Sequence, residues 1–335
     1  MRRDIMRWNS IIRYSHRKYS YLVNLHHTPV TFTTVILILL MILLLFGCTN
    51  PTEVTMKDLR AGTNGIVLKF LDGQPPAKVY ENDRFVMTLE LHNDGAATAK
   101  NAILSFGAPK EYVSVDIAGV TLDGKSTSMH FDIEGKSLKN PNGDINVLIV
   151  PVQAKTITTS KRQEVTAQAQ LCYDYQTLAE ASACVNYDPR GYLLSITACK
   201  PQKISMSSQG APIAVAQVDV QSKYLPDGSL GSVFIITLQN RGNGKVIEAG
   251  HSKEACSGTE DVGSLWDKVR VTAVLGGRQI QCKKEVVRLE NNKAEVFCEG
   301  SLQQTAGPYM APLQVYVDYG YTQTLSKQFV IERIS

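Results

Sequence analysis

The chain has 335 residues, with 35 Lys and Arg against 31 Asp and Glu and a formal net charge of +4. Six of those basic residues and one acid fall in the first 34 positions, leaving 29 against 30 beyond them. That near-neutral balance excludes the concentrated basic face a nucleic-acid binder needs, and the length leaves room for two domains of ordinary size after the N-terminal region.

In chain order, residues 1–29 form a basic tail in which Arg2, Arg3, Arg7, Arg13, Arg17 and Lys18 face one acid, Asp4, so the positive-inside rule keeps this tail cytoplasmic and exports the chain beyond the apolar segment. Residues 30–48 contain the unbroken apolar run Val35 to Phe46 and end Leu45-Phe46-Gly47-Cys48. As a helix at about 1.5 Å per residue this segment spans roughly 28 Å, close to a hydrocarbon core of about 30 Å. Its end resembles a lipobox, which implies cleavage and lipidation at Cys48; an uncleaved signal anchor is the alternative, and both place the bulk of the chain on the extracytoplasmic face of the membrane. Residues 49–61 read as a polar tether.

Beyond residue 60 the spacing predicts an all-β region. Short alternating stretches recur between Gly, Asn, Asp and Pro punctuation, and no segment keeps a helical period over three turns. Phe85 to Leu91 alternates apolar and polar residues and runs into Asn93-Asp94-Gly95, a half-buried strand followed by a turn. The design returns at Val233 to Gly242, which sets Phe234, Ile236 and Leu238 over Met87, Leu89 and Leu91 at an offset of 147; Ala169 to Tyr175 matches Leu313 to Tyr319 at an offset of 144. The repetition predicts two tandem β-sandwich domains of immunoglobulin type, 62–189 and 190–335. Tyr173, Tyr175, Tyr319 and Tyr321 share inward parity in these strands and read as packing residues, with a tyrosine-corner hydrogen bond as an option.

The stretches Leu91-His92-Asn93-Asp94-Gly95-Ala96-Ala97-Thr98-Ala99 and Leu238-Gln239-Asn240-Arg241-Gly242-Asn243-Gly244 resemble the Asn-x-Gly strand ends of CARDB-type Ig-like extracytoplasmic domains. The whole chain also resembles uncharacterised archaeal membrane-anchored surface proteins. The resemblance implies a cell-surface location and supplies no activity, catalytic residue or cofactor.

Six cysteines lie beyond Cys48, an even number in an oxidising setting and without paired C-x-x-C clusters, so disulfides are favoured over a metal site. If Ala169–Tyr175 and Ala181–Tyr187 form a hairpin, Cys172 and Cys184 lie symmetrically about Leu178 and pair. Symmetry about the turn near Glu290 to Lys293 pairs Cys282 with Cys298, and elimination leaves Cys199 with Cys256.

No reaction is legible. His16, His26 and His27 lie on the cytoplasmic side, and His92, His130 and His251 show no metal-ligand or nucleophile spacing. The oxygen-rich runs Asn140 to Asp144 and Asp227-Gly228 read as turns before they read as calcium loops. Trp266 reads first as a core anchor and second as a ligand platform. The leading expectation is therefore a non-enzymatic, membrane-tethered surface protein that uses tandem Ig-like domains for protein–protein interaction, adhesion or envelope or filament assembly, with an envelope or surface protein as partner, no nucleic acid and no cofactor. The alternative is a glycan-binding surface lipoprotein centred on Trp266 and the Cys256 loop, although a small-molecule ligand is not expected; a hydrolase using carboxylates assembled from distant strands comes third.

Overall fold

The computed structural model describes residues 54–126, 130–186, 199–224, 230–257, 263–300 and 308–334. The basic tail, the apolar segment, Cys48 and the expected boundary at Pro189 and Arg190 lie outside them. Among the described residues no helix is long and apolar enough to cross a membrane. The described chain is all-β apart from short helical turns. Helix α1 (Met56–Leu59) falls inside the stretch read as tether: Thr55 caps it in a capping box with Asp58, and Leu59 is buried.

The first half supplies β1 (Ile66–Phe70), β2 (Lys78–Tyr80), β3 (Arg84–Asn93), β4 (Ala99–Gly107), β5 (Val113–Val115), β6 (Thr121–Leu122), β7 (Lys125–Ser126), β8 (His130–Ile133), β9 (Ile145–Ala154) and β10 (Arg162–Val185). The second supplies β11 (Lys203–Ser205), β12 (Ile213–Tyr224), β13 (Leu230–Asn240), β14 (Lys245–Ile247), helix α2 (Ser252–Ser257), β15 (Lys268–Leu275), β16 (Arg278–Cys282), β17 (Val286–Arg288), β18 (Lys293–Gly300) and β19 (Tyr309–Glu332). Period-two alternation decides which side is buried: Met87, Leu89 and Leu91 of β3 and Phe234, Ile236 and Leu238 of β13 are all at most 1% exposed.

One sheet runs β1-β3-β9-β6-β7 with β5 also on β9. The other runs β11-β12-β13-β18-β16-β15-β19-β10-β4-β8, with β2 and β14 on β19 and β17 on β15. The antiparallel trio β1, β3, β9 of the first half is matched by β12, β13, β18 of the second. Both trios contribute to one hydrophobic core shared with β10 and β19, and the chain from Val54 onward forms one compact unit. The halves read from sequence as separate domains thus meet in a common sheet.

The junction is the ladder between β10 and β19. Each strand is 24 residues long, and they pair antiparallel without a break from Arg162↔Glu332 to Val185↔Tyr309. This overturns the expected hairpin about Leu178. No Gly, Pro or Asn interrupts Arg162 to Val185, and alternation continues through Thr177, Ala179 and Ala183, each at most 1% exposed, so the backbone has no reason to turn. Each strand serves both halves. The first part of β10 pairs with β4, while the last part of β19 pairs with β2 in the same half.

At the ladder's middle sit Tyr173, Tyr175, Tyr319 and Tyr321, paired as Tyr173↔Tyr321 and Tyr175↔Tyr319. Their rings form a closed set of four contacts with centroids 5.7–6.3 Å apart, inside the range of favourable aromatic pairs. The two halves then repeat the same hydrogen bonds. The Tyr173 hydroxyl accepts from the Ile66 N–H at 3.2 Å, and the Tyr319 hydroxyl from the Ile213 N–H at 3.4 Å. The Tyr175 hydroxyl accepts from the Ala97 N–H (3.1 Å) and donates to Asn93 Oδ1 (3.4 Å); the Tyr321 hydroxyl accepts from the Gly244 N–H (2.7 Å) and donates to Asn240 Oδ1 (3.4 Å). Each Asn closes its own turn, taking the Gly95 or Gly242 N–H at 3.1 Å. Gly is required at these two turns because a Cβ would lie 2.0 Å from the Tyr175 hydroxyl or 2.2 Å from that of Tyr321. The correct partner of Tyr173 and Tyr175 is therefore Tyr319 and Tyr321, two residues beyond the sequence match at Leu313 to Tyr319.

Burial makes the phenolate form costly, so Tyr173 and Tyr319 are held well above the usual tyrosine range and Tyr321 is pushed up to about 12, its hydrogen bonds from Gly244 and with Asn240 acting the other way. A folded-state pKa above the unfolded value of 10.0 means the stabilisation is complete below pH about 10 and is lost as pH rises through about 12. Alkaline unfolding followed by tyrosinate absorbance and circular dichroism is expected to show ionisation and loss of β-structure together in that window. Tyr175→Phe should lower stability by about 1–3 kcal/mol in urea titrations, since it removes a hydrogen bond from the buried Asn93 side chain, and Tyr321→Phe by less, because its partners Gly244 and Asn240 are only part-buried.

Candidate functional site

In a duplicated framework, what both halves share is scaffold, so the place where they differ is where a specialised surface is to be sought. The first half runs β4 as one strand along β10, with a bulge at Asn101 (φ 51°) where the register shifts between Cys172 and Asp174. The second half has two strands along β19 instead, β14 and β15, separated by residues 248–267. The insertion leaves the sheet at the position corresponding to the bulge. Its described residues carry α2, Trp266 and Cys256 and lie on the face of the shared sheet opposite the tyrosines.

The sequence pins it there. Asp174 Oδ1 accepts the Gly250 N–H (3.2 Å) and the Ser252 hydroxyl (2.7 Å), while Oδ2 accepts the Asn101 side-chain amide (3.1 Å). A disulfide joins Cys256 to Cys172 of β10 across 84 residues of sequence. Cys172, Ile247, Ala255 and Cys256 make a small apolar cluster separate from the main core, with Ile103, Leu265 and Trp266 packed against it. Trp266 is thus outside the main core: half-buried, it packs against the disulfide cluster.

The bridges correct two of the expected pairings. Cys172 bonds Cys256 and Cys184 bonds Cys199, where Cys172–Cys184 and Cys199–Cys256 were expected. The reason is the straight β10: its two cysteines stand twelve residues apart, about 40 Å at roughly 3.3 Å per residue, far beyond the reach of a disulfide. Cys282 and Cys298 face each other on β16 and β18 and are joined, the pair the hairpin symmetry pointed to.

Between the insertion and the sheet lies a cleft of about 560 Å³. Asp174, Gln176 and Asp318 form its floor, Ala97 and Thr98 one wall, Ala249 and Gly250 another, and Lys100 and Arg270 stand at its margins. Register fixes this layout: Lys100 is the cross-strand partner of Asp174, and Gln176–Asp318–Arg270 form one row over β10, β19 and β15. Gln176 donates to Asp318 Oδ1 at 2.7 Å. Both aspartates therefore receive neutral donors, while among the described residues neither the Lys100 nor the Arg270 side chain has a hydrogen bond or an ion pair. Tyr175 and Tyr319 underlie the cleft, but their rings belong to the core. A second cleft of about 670 Å³ at Lys268, Lys284, Arg288 and Lys293 is less free, since Lys268 pairs with Glu248 at 3.5 Å and Arg288 donates to the Ser264 carbonyl at 3.1 Å.

The histidines do not assemble. His92 bonds the Asn142 carbonyl at 2.7 Å, His251 lies 3.9 Å from Glu254, and His130 is exposed on β8. Among the described residues no group of His, Cys, Asp and Glu is arranged to hold a metal ion. Asn140 bonds Asp144 within its own turn, through its side-chain amide at 2.8 Å. Asp227 and Gly228 lie outside the described residues. The sequence reading missed Asp174, Lys100 and Arg270; the available signal was the offset between the halves, which stays near 147 up to Ile247, widens where β15 takes the place of β4 beside the ladder, and returns to its earlier value at the tyrosines.

The chain matches no protein-family model and no curated protein. Among solved structures it is similar, at 10% identity and a TM-score of 0.18, to the secreted serine protease VesC from Vibrio cholerae, with 81% of this chain and 52% of that one covered. The C-terminal domain of the Streptococcus agalactiae AgI/II polypeptide BspA is similar at 6% identity and a TM-score of 0.15, covering 80% of this chain and 99% of that one. Likenesses at this level carry no functional argument.

Removing the Cys172–Cys256 bridge by paired Cys→Ser substitution is expected to cost about 2–4 kcal/mol. Amide exchange should rise mainly over residues 248–257 and leave the β10–β19 ladder protected; exchange rising equally along the ladder would show that the insertion is not a separable cover.

Proposed function

We propose that the chain is a non-enzymatic surface module: two Ig-like halves sharing one sheet, held on the extracytoplasmic face by the segment ending at Cys48 and presenting strand edges to an envelope or surface protein. The observation that carries this reading is the edge of β1. Among the described residues this strand pairs with β3 alone; beyond Ile66, whose N–H is taken by the Tyr173 hydroxyl, its outer side borders a groove of about 300 Å³ lined by Thr63 to Leu68, Pro212, Gly242, Asn243 and Gln323 to Leu325. An edge strand offers unpaired backbone groups to which an extended segment can add as a further strand. The ends of the long sheet are less suited, since β8 and β11 are only four and three residues long. Three disulfides fit an oxidising compartment. The resemblance to CARDB-type domains supports the same location.

The cleft beneath the insertion favours a second reading, a ligand-binding surface lipoprotein, because it is built where the duplicated scaffold departs from its own symmetry.

Mass spectrometry without reduction of protein from its native membrane tests location and bridges together. The expected result is a membrane-held chain, either beginning at lipidated Cys48 or retaining its basic tail, with all six later cysteines bridged; free thiols in a cytosolic pool would overturn the reading. A photo-crosslinker at Val67 of β1 should trap a surface partner on intact cells, whereas the same group at exposed Thr166 on β10 should not.

A further inference from the structure

We infer that the cleft between the shared sheet and the 248–267 insertion binds an acidic saccharide, its carboxylates taken by Lys100 and Arg270 and its hydroxyls by Asp318 and Gln176. The inference rests on the ligand-binding reading and gives it a chemistry. Four observations lead there.

The two cations come first. Lys100 and Arg270 are exposed, stand on β4 and β15 with two strands between them, and have no partner among the described residues. The nearest acids are occupied otherwise, Asp174 by three donors that fasten the insertion and Asp318 by Gln176. Cations left free at both margins of a concave surface are placed for negative groups at both ends of a ligand rather than at one point.

The floor then selects among anions. A bare polyanion would meet the Asp318 carboxylate and be repelled. A ligand carrying hydroxyls between its charges would donate to the remaining acceptor positions of Asp318 and accept from Gln176, turning the repulsive floor into a recognising one. The absence of an aromatic face in the lining is the third observation: the rings of Tyr175 and Tyr319 belong to the core, so flat aromatic ligands find no stacking surface. Finally, about 560 Å³ lies within the span of small-molecule sites, roughly 300–1,000 Å³, and the site is pre-formed, because a disulfide and the Asp174 bonds fix its roof.

The test is calorimetric titration of the full chain in detergent with short linear oligomers of galacturonate. The same oligomers as methyl esters and an oligoglutamate of equal charge serve as comparison probes. Binding is expected for the acid oligomers, weakened by added salt and reduced about tenfold or more in Lys100→Gln and Arg270→Gln, with little binding of the ester or the oligoglutamate. Both substitutions are on exposed side chains, and an unchanged circular dichroism spectrum and disulfide map will show that the variants fold. Asp318→Asn should weaken the saccharide but strengthen oligoglutamate. Equal binding of oligoglutamate and galacturonate would overturn the saccharide assignment. Galacturonate binding that survives both Lys100→Gln and Arg270→Gln would overturn the cleft while leaving the ligand-binding reading standing. No binding of any probe would overturn the inference, and the ligand-binding reading would then be judged separately by whether the unsubstituted chain is captured on a broad glycan array.

Discussion

Everything else in this structure depends on one antiparallel ladder. β10 and β19 exchange backbone hydrogen bonds over 24 residue pairs, a contour of roughly 80 Å at about 3.3 Å per residue. Because each strand belongs to both halves, neither half has a complete sheet without the other's strand. The four tyrosines at the middle supply what a ladder alone does not, a fixed point. Their rings interlock and their hydroxyls tie the β1, β4, β12 and β14 ends of both halves to the same place. A slip of one residue would put the tyrosines on the wrong face.

On the opposite face the ladder is where the halves stop being equivalent. The same strands that carry matched tyrosines inward carry Cys172, Asp174, Gln176 and Asp318 outward, and these residues hold the insertion or line the space beneath it. Scaffold and specialised surface are thus two faces of one pair of strands. Period-two alternation lets the two evolve separately, since odd positions answer to the core and even positions to the solvent.

Much of the scaffold was legible. Alternation, Asn-x-Gly turns and the 147-residue offset were enough for an all-β, duplicated reading, and inward parity identified the four tyrosines as packing residues. The failures have local causes. Inferring a turn at Leu178 treated symmetric cysteines as a turn signal, although none of the surrounding residues favours one, and that error propagated into two of the three pairings. Strands of ordinary length are about five or six residues, so a 24-residue strand runs against the expectation that any long alternating stretch must fold back. The cleft was invisible for a different reason: Lys100, Asp174 and Arg270 are separated by up to 170 positions, and only the sheet register brings them onto one surface. Trp266, read first as a core anchor, packs instead against the small disulfide cluster outside the main core.

The bulge at Asn101 and the insertion after Ile247 occupy corresponding places, and their difference bears on why the halves are held in one chain. Two identical protomers meeting across a two-fold axis must place every feature twice, so an insertion that crosses the axis to fasten onto the opposite subunit would have to share the space with its own copy. A single chain carrying both halves is free of that obligation. It can keep a plain bulge on one side and let the other side reach across, which makes a one-sided cleft available to a scaffold whose interior is still nearly two-fold.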